Sequence, residues 1–334
     1  MTDTAAAASE ARPRRRVDLH VLGPLLALIA LVALGAALND NFLSYGNVTN
    51  VLARSAFIGI IAVGMTFVIT AGGIDLSVGS MAAFVAAVMI LAMNALVPAM
   101  GVGAPVILVG MLVALAAGLA AGWLNGVLVA KVNIEPFIVT LGAMGVYRSL
   151  TTWLADGGTV SLQFDLRTFY RPVYYDGLFG VAWPIIVFAL VAVIGEVAMR
   201  RTPFGRYCAA LGASEQVARY SAVKIDRVRM ATYVALGGLV GLATIMYVPR
   251  LGSASGSTGI LWELEAIAAV IIGGTVLKGG YGRVWGTVIG VLILSLIDNI
   301  LNLAAIVSPY LNGAIQGAIV ILAVVLQRES RSAD

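Results

Sequence analysis

Of the 334 residues, 60% are hydrophobic and only 11% charged, and the mean hydropathy is +0.97, which excludes a water-soluble globule, where about a quarter of residues carry charge. A helix crossing the hydrocarbon layer uses roughly 20 apolar residues, so about ten crossings leave room for loops but for no large soluble domain. The net charge of +4 comes from Lys and Arg set in small groups between apolar stretches and never interleaved with aromatics, which reads as membrane topology and excludes a nucleic-acid partner.

The 38 glycines and the shortage of aromatics suit closely packed transmembrane helices better than a barrel of alternating strands, and the fold class expected is an all-α polytopic bundle. A basic tail over residues 1–18 carries Arg12, Arg14, Arg15 and Arg16. The apolar stretch 19–38 that follows is long for a signal-peptide core, and the chain after it stays hydrophobic, so it is read as a retained first helix. Breaks in hydrophobicity predict further spans at 51–70, 78–94, 105–130, 137–155, 181–199, 229–247, 264–278, 284–304 and 309–327, with a short tail at 328–334. Residues 19–327 then form one transmembrane domain of about ten spans. An even number puts both termini on one side. Making that side cytoplasmic leaves only Arg54, Arg148, Arg167, Arg171 and Arg250 at or beyond the outer boundary, as the positive-inside rule requires. Two polar segments are long enough to meet partners, an outer one at 156–180 and an inner one at 200–229. In the outer segment Arg167, Arg171, Tyr174 and Tyr175, joined by Arg250, offer rigid exposed contact area and charge to a docking protein. A faint echo links Ala62-Val63, Gly72-Gly73 and Gly79 to Ala269-Val270, Gly279-Gly280 and Gly286 at an offset of 207. The two segments share an orientation, so this is no sign of an inverted repeat.

Between Arg54 and Lys131 the only charge is Asp75, in Gly72-Gly73-Ile74-Asp75-Leu76-Ser77-Val78-Gly79. A carboxylate at the bilayer centre costs about 2.5 to 3.5 kcal/mol, so Asp75 either caps the next helix or steadies a broken helix on a solute path, with Ser77 beside it. Asp298 is likewise alone between Arg283 and Arg328; with Asn299 and Asn302 it makes a polar stripe at helical spacing that bonds neighbouring helices or lines a hydrated passage. Thr66, Thr70, Asn125 and Thr140 are further pathway candidates, although threonines in membrane helices usually bond their own backbone. The chain has no G-x-x-x-x-G-K-[ST] phosphate loop, which excludes ATP hydrolysis by this chain alone. One histidine, His20, and one cysteine, Cys208, make a metal site improbable, and no catalytic constellation is present.

Three stretches carry a resemblance. Gly59 to Phe84 reads GIIAVGMTFVITAGGIDLSVGSMAAF, Ile134 to Gly142 reads IEPFIVTLG, and Glu263 to Thr287 reads ELEAIAAVIIGGTVLKGGYGRVWGT. From about Phe42 to Gln327 the chain resembles the membrane-spanning permeases of bacterial ABC importers for monosaccharides. That resemblance implies a multi-pass protein of the inner membrane with no cofactor of its own, ATP being bound by a separate ATPase subunit. It also implies a periplasmic sugar-binding protein and a second permease copy as partners. Phe204 to Tyr207, Ala210 to Glu215 and Ala218 to Val223 resemble the family's ATPase-docking segment, which implies coupling roles for Gly205, Arg206, Gly212, Glu215 and Arg219. The chain departs from the family pattern at Ser214, where Asn is common, at Ala222, where Gly is common, and at Glu265, where Asp is usual. Read from the residues alone, the inner segment is a charged helix-forming lever with Glu215 and Arg219 one turn apart. A permease of the same fold for an autoinducer or nucleoside is the alternative within the class. A proton-coupled secondary transporter is the rival outside it, and would have only Asp75 and Asp298 to titrate.

Overall fold

The computed structural model describes residues 19–304 together with 311, 313–315, 317 and 318. The expected tails at 1–18 and 328–334, and most of the expected span 309–327, lie outside the described residues.

The first half of the chain forms α1 (Leu19–Leu38), α2 (Tyr45–Thr70), α3 (Val78–Met100), α4 (Ala104–Ala130) and α5 (Pro136–Leu154). A compact connection follows, made of β1 (Thr159–Ser161), α6 (Phe164–Tyr170), α7 (Pro172–Tyr175) and the hairpin β2 (Gly177–Leu178) with β3 (Val181–Ala182). The second half contains α8 (Trp183–Arg201), α9 (Pro203–Ala213), α10 (Glu215–Tyr220), α11 (Ile225–Leu251), β4 (Ser253–Ser255), α12 (Trp262–Ile272) and α13 (Val284–Ala304). Strand β4 pairs antiparallel with β1, Ala254 opposite Val160, so both connections at that end are stitched together. The expected helical bundle is found, with these two small strand pairs added. Among the described residues six helices, α2, α3, α4, α8, α11 and α13, are long and apolar enough to cross a membrane.

Helix α2 is the centre of the bundle. Every residue from Gly59 to Thr70 is buried, which is how a helix apolar on all faces satisfies itself inside a protein. Around it the outward faces stay apolar, with Leu108 and Leu112 on α4 and Leu190 and Ile194 on α8 exposed, the pattern of a surface that meets lipid or another apolar face. Helices α4 and α11 cross most closely: a Cβ added to Gly237 would lie 2.7 Å from the Cα of Gly122, so the contact exists only because both are glycine.

Two boundaries differ from expectation for physical reasons. Helix α2 starts at Tyr45 rather than 51, because the Ser44 hydroxyl accepts from the Asn47 amide (3.4 Å) and caps a polar first turn that hydropathy discards. The expected span 264–278 is corrected to the 11-residue α12, about 16 Å long and so about half the layer thickness. Past Ile272 the chain leaves the helix, with Gly274, Gly279 and Gly280 at φ of 86, 87 and 86°, and as irregular backbone reaches Thr70 at the C-terminal end of α2.

Candidate functional site

Four helices, α2, α11, α12 and α13, line an open polar cavity of about 180 Å³. Helix α13 contributes Ser295, Asp298, Asn299 and Asn302, the i, i+3, i+4, i+7 face of a single helix, so the stripe expected from sequence faces this cavity. Helix α2 adds Arg54 and Ser55, α12 adds Trp262 and Glu265 one turn apart, and α11 adds Tyr247 and Arg250. The stripe is also tied down: Asn299 and Asn47 exchange amide hydrogen bonds (2.8 and 3.0 Å), joining α13 to α2, and Asn302 donates to the Asp298 carbonyl (2.8 Å). Aromatic rings lead from the cavity to the 156–182 end. Trp262 meets Tyr247 edge-on (5.0 Å), Tyr247 meets Phe57 (5.6 Å), and Phe57 stacks on Tyr174 (5.8 Å). Arg54, Ser55, Tyr247, Trp262, Glu265 and Ser295 were not singled out from sequence as lining residues.

Asp75 lies elsewhere. It is fully buried between α2 and α3, and its carboxyl accepts from the Ser77 amide (2.8 Å), the Ser77 hydroxyl (2.6 Å) and the Asn125 side chain (3.2 Å). Asn125 also donates to Ser77 (3.0 Å), and Tyr233 donates to the Ile74 carbonyl (3.0 Å). The carboxyl thus satisfies the start of α3 and binds it to α4, and it does not line the cavity. Thr66, Thr70 and Thr140 are buried and bond their own helix backbones at Ala62, Thr66 and Pro136; Thr66 also meets Thr287 of α13 (2.8 Å). None of them lines the cavity.

The two helix breaks meet the 200–224 segment. The amide of Gly280 donates to the carbonyl of Thr70 (2.9 Å) at the end of α2. Gly212, in the last turn of α9, is wedged against both: a Cβ there would lie 2.5 Å from the Gly280 nitrogen and 3.0 Å from the Gly279 Cα, and would strike the Thr70 carbonyl. Gly205 is buried against the backbone of Met199, and Arg206 is exposed. Glu215 holds Arg219 (2.9 Å) on its own helix and also Arg229 (2.7 Å) on α11, a partner the spacing rule does not show. These hydrogen-bonded guanidinium groups, Arg229 first, hold the Glu215 carboxyl below its ordinary range. The family departures have local readings here. Ser214 still caps α10, accepting from the Val217 amide (3.3 Å), whereas Ala222 sits at φ 57°, where glycine is favoured. Glu196 of α8 pairs with Arg200 and accepts from the amides of Val284 (3.1 Å) and Trp285 (3.2 Å), capping α13.

At the 156–182 end, Arg167, Arg171 and Tyr175 are exposed, with the Arg171 guanidinium 4.8 Å from the Tyr175 ring. Two expectations are corrected. Tyr174 is only 5% exposed because it packs on Phe57, and Arg250 is half-buried over the Tyr174 ring (5.9 Å) while lining the cavity.

Apolar outward faces, helices broken inside the bundle and a polar cavity between them define a polytopic membrane permease. The family model described as "Branched-chain amino acid transport system / permease component" matches residues 47–324. The ribose import permease of Haemophilus influenzae is 37% identical over 302 residues, covering 90% of both chains, and that of Bacillus subtilis is 39% identical over 314, covering 93% of this chain and 94% of that one. The fructose import permease of Bifidobacterium longum is 32% identical over 322 residues, covering 94% and 92%. The chain belongs to this permease family, among its ABC-type sugar import permeases.

Proposed function

We propose that the chain is the membrane-spanning subunit of an ATP-driven importer that carries a monosaccharide, a pentose or hexose, across the bacterial inner membrane by alternating access. The observation that carries this reading is the polar cavity in a chain whose relatives are named import permeases for ribose and fructose. Asn299, Ser55 and Ser295 supply amides and hydroxyls for a polyol, and the Trp262 ring offers an apolar surface for the C–H face of a sugar. The family description names branched-chain amino acids, but a branched aliphatic side chain needs an apolar recess, whereas the charged groups of Arg54, Arg250, Glu265 and Asp298 line this cavity.

In this reading the 156–182 end faces the periplasm and receives a sugar-loaded binding protein on Arg167, Arg171 and Tyr175. The 200–224 end faces the cytoplasm, where ATPase subunits press on α9 and α10 through the surface around Arg206, Glu215 and Arg219. ATP is bound by those subunits, not by this chain. Ten crossings, one of them made by the short α12 and the glycine-rich chain after it, would put both termini in the cytoplasm, and two copies form the full pathway. Ion pairing of Glu215 to α11 supports the lever role, since a push on α10 is then delivered to a helix that lines the cavity.

The test is uptake of labelled ribose into vesicles holding this chain, with its ATPase and binding protein added or withheld. Uptake is expected only with ATP and both partners, and Trp262→Ala or Asp298→Asn should lower it at least tenfold with assembly intact. Uptake driven by a proton gradient without the ATPase overturns the reading in favour of a secondary transporter; unchanged uptake in both variants removes the cavity from the path.

A further inference from the structure

At the 200–224 end, apart from the cavity and the glycine junction, a groove of about 410 Å³ runs between α9 and the start of α11. Phe204 and Tyr207 wall it from α9, Val228 and Ala231 from α11, and Ala222, Val223, Lys224 and Arg227 complete it. Lys224, the N-cap of α11, stands with Arg227 and Ala231 at i, i+3 and i+7, so the cations sit at the start of the helix while the apolar wall continues for about 10 Å along it. Both cations are exposed, and neither forms an ion pair among the described residues, whereas Arg200, Arg219 and Arg229 each have a glutamate. Asp226 lies between them in the chain but does not line the groove.

We propose that this groove binds one anionic glycerophospholipid, with its phosphate between Lys224 and Arg227 and an acyl chain along Phe204, Val228 and Ala231. Charge complementarity argues for an anion, and the gradient from cations to apolar wall argues for an amphiphile. A free phosphate leaves that wall in water, and an acidic peptide gains nothing from a channel directed into the membrane. Basic groups at the cytoplasmic leaflet recruit anionic lipid in this way. The placement at that leaflet rests on the orientation given under the proposed function. The site also has a consequence for coupling. Phe204 stacks on Phe67 of α2 (5.5 Å, 23° between ring planes), and the last turn of its helix sets Gly212 on the junction, so a lipid chain against Phe204 bears on α9 at the base of both broken helices.

The test uses the purified full chain in detergent, with bound lipid counted by native mass spectrometry after adding phosphatidylglycerol, phosphatidylcholine or inorganic phosphate. The wild type is expected to hold phosphatidylglycerol and neither of the others. Lys224→Gln with Arg227→Gln should weaken that binding about thirtyfold, following the attraction of each basic group for an anionic surface. Lys131→Gln with Arg201→Gln, which removes two charges outside the groove, should leave it unchanged. Equal loss in both double variants, equal binding of phosphatidylcholine, or displacement of phosphatidylglycerol by phosphate overturns the proposal. So does capture of the ATPase subunit, instead of lipid, by a photo-cross-linking residue at position 231, on the α11 wall of the groove, in the assembled complex. The readout needs no transport, so loss of uptake with lipid binding intact counts against the import reading alone.

Discussion

Asp75 separates two roles that a buried carboxyl in a membrane permease can play, and its three bonds set the size of each outcome. Asp75→Asn keeps an oxygen for the Ser77 amide and hydroxyl but sets an NH₂ against the Asn125 side chain, which is itself the donor of that bond. One buried hydrogen bond is lost and its donor left unsatisfied, about 1 to 3 kcal/mol. Asp75→Leu leaves the Ser77 amide and the Asn125 side chain without this acceptor at a fully buried site, about 1 to 3 kcal/mol each and so about 2 to 6 kcal/mol together. Thermal unfolding of the purified chain in detergent, beside vesicle uptake at matched abundance, measures both quantities. The Asn variant should melt earlier and keep partial uptake, and the Leu variant should accumulate poorly. If the Asn variant melts with the wild type yet transports nothing, the carboxyl acts on the solute path, and the argument from the closed network is wrong.

Gly212→Ala should uncouple ATP hydrolysis from uptake, because its methyl strikes backbone from both α2 and the 273–283 turn, an overpacking that costs about 1 to 3 kcal/mol; normal uptake per ATP in a stably assembled complex refutes a transmitting junction. Glu215 has a depressed folded pKa, so its ion pairs are fully present above the ordinary glutamate value of 4.5 and are lost as pH falls through the lower folded value. Amide protection over 214–220 should be flat from pH 7 to 5 and fall below 4.5, with an effect of a few tenths of a kcal/mol because the carboxyl is 44% exposed; protection unchanged in Glu215→Gln would dismiss the tie.

Periodicity made the α13 face readable, because Asp298, Asn299 and Asn302 repeat at helical spacing in an otherwise apolar run, and Ser295 merely extends it. Arg54 was hidden by the polar first turn of α2: a hydropathy boundary at 51 puts it at the edge of the span, whereas in a helix begun at Tyr45 it stands more than two turns from the start, exposed on the cavity. Trp262 and Glu265 were hidden because their helix is too short to span, and hydropathy scores transfer free energy, not φ and ψ. Val276 and Leu277 read as membrane span, yet the glycines around them turn the chain. Tyr174 was read as exposed because its segment is polar, and only its packing on Phe57 shows otherwise. The helical lever with Glu215 and Arg219 one turn apart was legible; its tie to Arg229, fourteen residues away, depends on how α10 folds back on α11.

The echo at an offset of 207 has a structural counterpart, but not in that alignment. Helix α2 ends with the amides of Gly72 and Gly73 donating to Ile69 and Val68 (both 2.9 Å), and α12 ends with those of Gly274 and Thr275 donating to Ile271 and Val270 (2.9 and 3.2 Å). Gly274 follows Gly72 by 202 positions, so Gly279 and Gly280 belong to extra chain inserted after an equivalent cap. That extra chain is what reaches back to Thr70 and receives Gly212. Thr66 and Thr287 join α2 to α13 about one turn from the same place. Both helix breaks and the end of α9 therefore converge where backbones touch without intervening side chains. Side chains at such a contact would absorb a small displacement by changing rotamer; glycine backbones in van der Waals contact have no such slack. On the proposed mechanism, a push on α9 moves α2 and the α12–α13 break together, and three helices that line the cavity change position in one step.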